Sequence, residues 1–224
     1  MNRDTFFEGK DFKSEEFKAL LPKYYPLQYQ KYIQEETKLL KRRLKRAHKI
    51  LEAGVGIGRL IPKLAPVVTD FIGVDNADLM LEKSREAAQK FPNVKIIRGD
   101  LEKISMLFPL HYFDFSLCVW NTLGNVKDEV KVLQELRKVT SKKIFITVYK
   151  KGTLAQRKKW YQRVGVNIFK IDEKKEIFYS KSGLKSKSYS LKDIKKIADK
   201  ANLYVTDSKI LAGVMLWVEL SRKN

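Results

Sequence analysis

The residues best placed to do chemistry gather at three points between positions 52 and 100. Glu52 stands two residues before Gly54, and Gly54, Gly56 and Gly58 alternate with Val55 and Ile57 in the run KILEAGVGIGRL. Ile50 and Leu51 close a short apolar run, the mark of a buried strand, and a helical pattern opens at Arg59. Strand, glycine-rich turn and helix bring a backbone close to a nucleotide-like ligand, where side chains would block the approach and positive φ is often needed. The dinucleotide fingerprint G-x-G-x-x-G is excluded, because its third glycine falls on Arg59. Asp75 ends the next apolar run, 21 residues beyond Gly54, and Asp100 ends a third. An acid at a strand end can accept both hydroxyls of a ribose, a charge-assisted pair worth on the order of 1.5–3 kcal/mol. Either acid can also simply cap the helix that follows it.

Regular elements carry these residues. Apolar runs at 71–74, 94–98, 113–120 and 144–149 follow the first strand, and helical patterns at 59–68, 77–91 and 127–139 separate them. Pro62 and Pro66 interrupt the first of these helices, and Asn76 is placed to cap the second. Such alternation predicts an α/β fold with a doubly wound, mostly parallel sheet, its strand ends meeting along one edge where ligands bind. Upstream, Tyr29, Ile33, Leu40, Leu44 and Ala47 recur at helical spacing over 28–49, and Lys38, Lys41, Arg42, Lys45 and Arg46 form a solvated opposite face. Residues 151–189 break the rhythm with a helix at 154–164 and two short strands at 166–171 and 176–180. Ser190 caps a helix at 191–201, with Asp193 completing a capping box, and two β runs at 204–211 and 214–220 meet at Ala212 and Gly213. The expectation is one domain: 1–47 an N-terminal helical lid, 48–150 the binding core, 151–189 an insert over the substrate, and 190–224 a final helix and hairpin.

Glu52, Gly54, Gly56 and Gly58, then Asp75, then Asp100, in this order and at strand ends, resemble the class I S-adenosylmethionine-dependent methyltransferases. The likeness covers roughly residues 48–150, and the terminal hairpin supports it. Ala53 and Val55 replace the more usual Leu and Cys. The resemblance implies a Rossmann-like sheet of order 3-2-1-4-5-7-6 with an antiparallel seventh strand. It implies S-adenosyl-L-methionine as cofactor, S-adenosyl-L-homocysteine as product, and no metal. By the same resemblance Glu52 helps hold the methionine amino group beside Ala53, Gly54, Gly56 and Gly58. Asp75 takes the ribose, with Asn76 and Met80 also among the cofactor-binding residues. Asp100 takes the adenine amino group while the Leu101 N–H meets a ring nitrogen, and Val119 and Trp120 border the methyl group. Methyl transfer would be an in-line displacement, with alignment of the partners contributing as much as about 7–11 kcal/mol. Asn121 is the candidate catalytic residue, its carbonyl orienting an amine or hydroxyl, although it can equally make a turn with Gly124 and Asn125. Tyr161 and Tyr179 are candidate bases.

Composition bounds the rest. With 224 residues and 44% apolar content, one sizeable core is expected, and no apolar run is long enough to span a membrane. The charged N-terminus, the single cysteine Cys118 and the two separated histidines, His48 and His111, argue against a secretory signal, a disulfide framework and a metal site, and for a cytoplasmic protein. The net charge is +20, of which residues 151–200 carry +10 from 15 basic and 5 acidic groups. That segment, with Trp160, Tyr161 and Phe169, suits RNA through phosphate contacts and base stacking, or merely reflects lysines at exposed positions. An N-P-P-[YF] motif is missing, the corresponding run being Asn121, Thr122, Leu123 and Gly124. The leading expectation is therefore methyl transfer to nitrogen or oxygen of a small-molecule acceptor. RNA methylation is the alternative, a non-catalytic S-adenosylmethionine-binding protein the third, and the oligomeric state stays open.

Overall fold

The computed structural model describes residues 16–44, 48–181 and 183–223. Phe6, Phe7, Phe12, Lys45, Arg46, Ala47 and Ser182 lie outside them. A helix, α1 (Leu27–Arg43), leads into β1 (Lys49–Ala53), which pairs in parallel with β2 (Asp70–Asp75) on one side. β3 (Val94–Arg98) forms the edge beyond β2. On the other side of β1 come β4 (Phe113–Cys118) and β5 (Thr140–Lys150), again parallel. Between them run α2 (Ile61–Leu64), α3 (Asp78–Ala88), the single turn α4 (Thr122–Asn125) and α5 (Glu129–Val139). The insert holds α6 (Leu154–Arg163) and an antiparallel trio, β6 (Ile168–Asp172), β7 (Ile177–Ser180) and β8 (Lys185–Tyr189). Then α7 (Leu191–Lys200) leads to the hairpin of β9 (Leu203–Leu211) and β10 (Met215–Arg222), with β10 antiparallel to β5. Without the insert, the sheet order is 3-2-1-4-5-7-6.

Helices cover both faces, so the central strands are apolar on both sides. Ile50 and Leu51 point to opposite faces, as neighbours in a strand must. Ile50, Phe71, Leu117 and Phe145 pack under α1, α2 and α6, while Leu51, Cys118, Ile144 and Ile146 pack under α5 and α7. The capping box of Ser190 and Asp193 opens α7 as expected. Three local expectations need correction. Residues 59–68 form a four-residue helix and a 3-10 turn, because Pro62 and Pro66 permit no longer run. α1 stops at Arg43, and its buried face includes Glu36. The insert contains a third strand, β8, which pairs with β7 and with the last two residues of β5.

The edge that β5 shows to β4 has three successive partners. β4 pairs as far as Cys118 opposite Ile146. The chain then turns through Trp120 and Asn121, both at positive φ, and the Asn121 N–H donates to Thr147 O at 2.8 Å. The Asn121 side chain follows, Oδ1 accepting from Tyr149 N at 3.1 Å. β8 takes over where Ser188 and Tyr189 pair with Tyr149 and Lys150. The insert is thus spliced to the tip of the core sheet beside the carboxyl end of β4.

Candidate cofactor and acceptor site

The glycine loop is tied to the neighbouring strand, with Gly54 N and Val55 N donating to Val74 O at 2.8 and 3.0 Å. All three glycines have positive φ, but they differ in what surrounds them. A Cβ on Gly54 would meet Thr122 at 2.5 Å and one on Gly58 would meet Ile61 at 2.7 Å, whereas one on Gly56 would meet nothing within 4 Å. Packing therefore requires the outer two, and the middle one faces open space. Asp75, at the end of β2, aims at that middle residue: Oδ2 accepts from Gly56 N at 2.9 Å, and Oδ1 accepts from Asn76 N and Ala77 N at 2.9 and 3.1 Å. Burial pushes its carboxyl up, and the three N–H donors pull it back. Asp75 thus makes the turn into α3, and Asn76 is exposed and caps nothing with its side chain. Asp100 is exposed and caps the turn opened by Leu101, Oδ1 accepting from Glu102 N at 2.9 Å. Met80 and Val119 are buried beside these strand ends, and Ala53 is buried within β1.

Glu52 is 3% exposed, and its Oε2 has no hydrogen-bond partner among the described residues. Burial pushes its carboxyl up to about 8, against the pull of Arg59 and with further push from Glu36 and Asp75. A cation lodged beside it would restore the ionised form.

A polar network that the sequence does not announce lies next to Glu52. Glu36, 0% exposed on α1, receives Arg59 Nη2 at 2.6 Å and Thr147 Oγ1 at 2.8 Å, together with the Tyr32 hydroxyl. Thr147 Oγ1 also accepts from Trp120 N at 2.8 Å. One carboxylate of α1 therefore joins the loop after β1 to the loop after β4. The signal available in the sequence was an acid on the apolar side of a helix, three residues after Ile33.

Aromatic rings fill the space above the ends of β4 and β5. Trp120 stacks with Tyr25 at 4.7 Å and Tyr32 at 5.3 Å between centroids, and the Arg59 guanidinium lies 5.4 Å from its ring. Tyr29 packs on Trp160 at 4.7 Å and meets Trp120 and Tyr149 edge-on. Trp160 and Tyr161 are 2% and 4% exposed, so neither presents a face to a nucleic-acid base; Phe169 is 60% exposed. The Tyr161 hydroxyl shares a hydrogen bond with Ser186 Oγ at 2.8 Å, and Tyr179 is half-buried on β7. Asn121 is buried, its Oδ1 accepting from Tyr149 N, and its Nδ2 has no partner among the described residues. Cys118 is buried, its thiol pushed up to about 12. Among the described residues no cluster of three His, Cys, Asp or Glu is placed to hold a metal, and no helix is long and apolar enough to cross a membrane.

Residues 50–143 match the family model of a methyltransferase domain. A search of curated proteins gave no match. Among solved structures, the PH0226 protein of Pyrococcus horikoshii is 20% identical, with a TM-score of 0.71 over 93% of this chain and 99% of its own. The CcbJ methyltransferase of Streptomyces caelestis is 16% identical, with a TM-score of 0.70 over the full length of both chains. A Burkholderia thailandensis 1,6-didemethyltoxoflavin-N1-methyltransferase, solved with 1,6-didemethyltoxoflavin and S-adenosylhomocysteine, is 14% identical, with a TM-score of 0.65 over 86% of this chain and 79% of its own. The glycine loop, Asp75 and Asp100 all lie within the stretch that is similar to a methyltransferase domain, and the solved structures share the fold of the whole chain.

Proposed function

We propose that this chain is an S-adenosylmethionine-dependent methyltransferase acting on a nitrogen or oxygen atom of a small molecule. The burial of Trp160 and Tyr161 carries the reading: α1 and the insert meet over the ends of β4 and β5 in a closely packed aromatic cluster, which offers no open groove to a nucleic acid. The Burkholderia relative, with its small bound substrate, is in keeping with it. S-adenosylmethionine supplies a methyl group already activated on its sulfonium. The chain's share is binding and alignment. Glu52, lacking a partner for Oε2, would accept the ammonium of the methionine part, in the space left at Gly56 and bounded by Ala53, Gly54 and Gly58. Asp75 would accept the ribose hydroxyls through lone pairs not used by its backbone donors. Asp100 would take the adenine amino group beside Leu101, with Asn76, Met80, Val119 and Trp120 along the walls. The described part of the N-terminal segment, with α1, and the insert would together cover the acceptor.

Calorimetric titration with S-adenosylmethionine and S-adenosylhomocysteine tests the cofactor half, using wild type and Asp75→Ala. Micromolar binding should fall at least about tenfold in the variant, a loss of ~1.4 kcal/mol. Turnover with metabolite pools and with total RNA tests the acceptor half. Salt-sensitive methylation of RNA, with none of metabolites, would refute the small-molecule reading.

A further inference from the structure

The outer edge of the insert is open. β6 ends the strand path β5-β8-β7-β6, and among the described residues it pairs only with β7. Beside it lies a cavity of about 330 Å³, bounded by Lys158 and Gln162 of α6 and by the run 166–171. Lys158 and Gln162 are four residues apart and so share a helix face. Four successive residues of β6, Ile168 to Ile171, border the cavity. Successive side chains of a strand point to opposite faces, so a space that touches all four runs along the strand edge and not over one face. β7 occupies the other edge, which leaves the unpaired edge to this groove. α6 buries Trp160 and Tyr161 in the ring cluster and exposes Lys158 and Gln162, so the groove is separate from that cluster and does not depend on the nature of the methyl acceptor.

The groove is apolar along its length and one-sided in charge. Val166 is buried, Ile168 and Ile171 are partly buried, and Phe169, where the register with β7 slips, is 60% exposed. No residue bordering the cavity is acidic. Lys158 and Lys170 are exposed and make no ion pair among the described residues, and α6 adds Lys159 and Arg163 without any acid. An unpaired edge presents main-chain N–H and C=O groups that a further strand can satisfy. A second copy of this chain would set cation against cation across the new pair, which opposes pairing. A nucleic acid would engage the lysines and Phe169 but leave the hydrogen-bonding groups of the strand unanswered. An acidic polypeptide answers both. We propose that the groove between α6 and β6 binds an acidic polypeptide segment in extended form. The segment adds to β6 as a further strand, with its carboxylates against Lys158 and Lys170 and an apolar side chain against Phe169.

Fluorescence anisotropy of labelled peptides with the full chain tests this. A short peptide alternating aspartate with valine should bind, and its lysine–valine counterpart should bind at least about tenfold more weakly. Proline in place of a central valine removes a ladder donor at unchanged charge and should also cost at least about tenfold. Lys158→Glu combined with Lys170→Glu, both at exposed positions, should weaken the aspartate peptide by a similar factor. The bound peptide should slow hydrogen exchange at the main-chain amides of β6, which attraction between charges alone would not do. No binding of the aspartate peptide, equal binding of the valine and proline forms, or tighter binding of a uridine oligonucleotide lost in the same double variant would overturn the proposal. So would a wild-type dimer held by this edge, seen as protection of the same amides that rises with protein concentration.

Discussion

Glu36→Ala is the most informative single change in the framework. It removes a buried carboxylate that serves Arg59, Tyr32 and Thr147 together, and leaves the Arg59 guanidinium enclosed beside the Trp120 ring. Breaking a buried pair from one side costs about 3–5 kcal/mol, because the remaining charge keeps its desolvation penalty. For a domain of this size each kcal/mol lowers Tm by about 2–4 °C, so a fall on the order of 10 °C is expected. The exposed pair Lys83–Glu86, at 2.8 Å, supplies the internal control: Glu86→Ala should cost less than about 1 kcal/mol. Replacing both members, Glu36→Leu with Arg59→Met, should recover most of the loss, since an apolar pair of similar volume is often as stable as the ion pair. Urea denaturation of the four chains measures all of these values. A cost below 1 kcal/mol for Glu36→Ala, or a double variant no more stable than the single one, would refute the view that Glu36 and Arg59 form one buried unit.

Two glycine variants should separate packing from binding. Gly58→Ala places a methyl 2.7 Å from Ile61 at positive φ and should destabilise by about 1–3 kcal/mol, read by thermal denaturation. Gly56→Ala meets no protein atom within 4 Å, so it should cost only the backbone strain of about 1 kcal/mol yet weaken S-adenosylhomocysteine binding at least tenfold. Glu52 sets a pH dependence. Its folded carboxyl titrates near 8 against 4.5 when free, so its stabilising contribution is complete below 4.5 and is lost as pH rises through 8. Glu52→Gln should therefore gain on wild type across that interval in denaturation at stepped pH. In wild type near pH 7, ammonium binding at Glu52 should release part of a proton, visible as a dependence of the calorimetric heat on buffer ionisation enthalpy. Cys118, buried with a raised thiol pKa, should resist thiol reagents until the chain is denatured, as a colorimetric thiol assay would show.

The glycine loop and the acidic strand ends were readable in the sequence because their determinants are local. Glycines at alternate positions, an acid two residues before them and acids at the ends of apolar runs need no knowledge of distant partners. The aromatic cluster above β4 and β5 depends on contacts far apart in the chain. Glu36 lies on the apolar side of a lysine-rich helix, and only its meeting with Arg59, 23 residues on, makes its burial tolerable. β8 reads KSKSY, with no apolar alternation, because its inward residues Ser186 and Ser188 serve a buried arginine instead of a hydrophobic core. Trp120 and Asn121 adopt a left-handed backbone that favours glycine, held there by hydrogen bonds to Thr147 and Tyr149. Trp160 and Tyr161, offered for base stacking under the RNA alternative, are covered by neighbours that helical periodicity alone does not identify.

β5 runs past the end of β4, and its protruding tip carries the insert on backbone hydrogen bonds. The insert is therefore anchored to the core sheet through main-chain pairing, whereas α1 is tied to the loops after β1 and β4 through side chains, the Glu36 network among them. This division separates two kinds of evolutionary change. Substitutions and length changes within 151–189 leave the pairing of β4 with β5 untouched, whereas a change at Glu36 reaches the loops after β1 and β4 together.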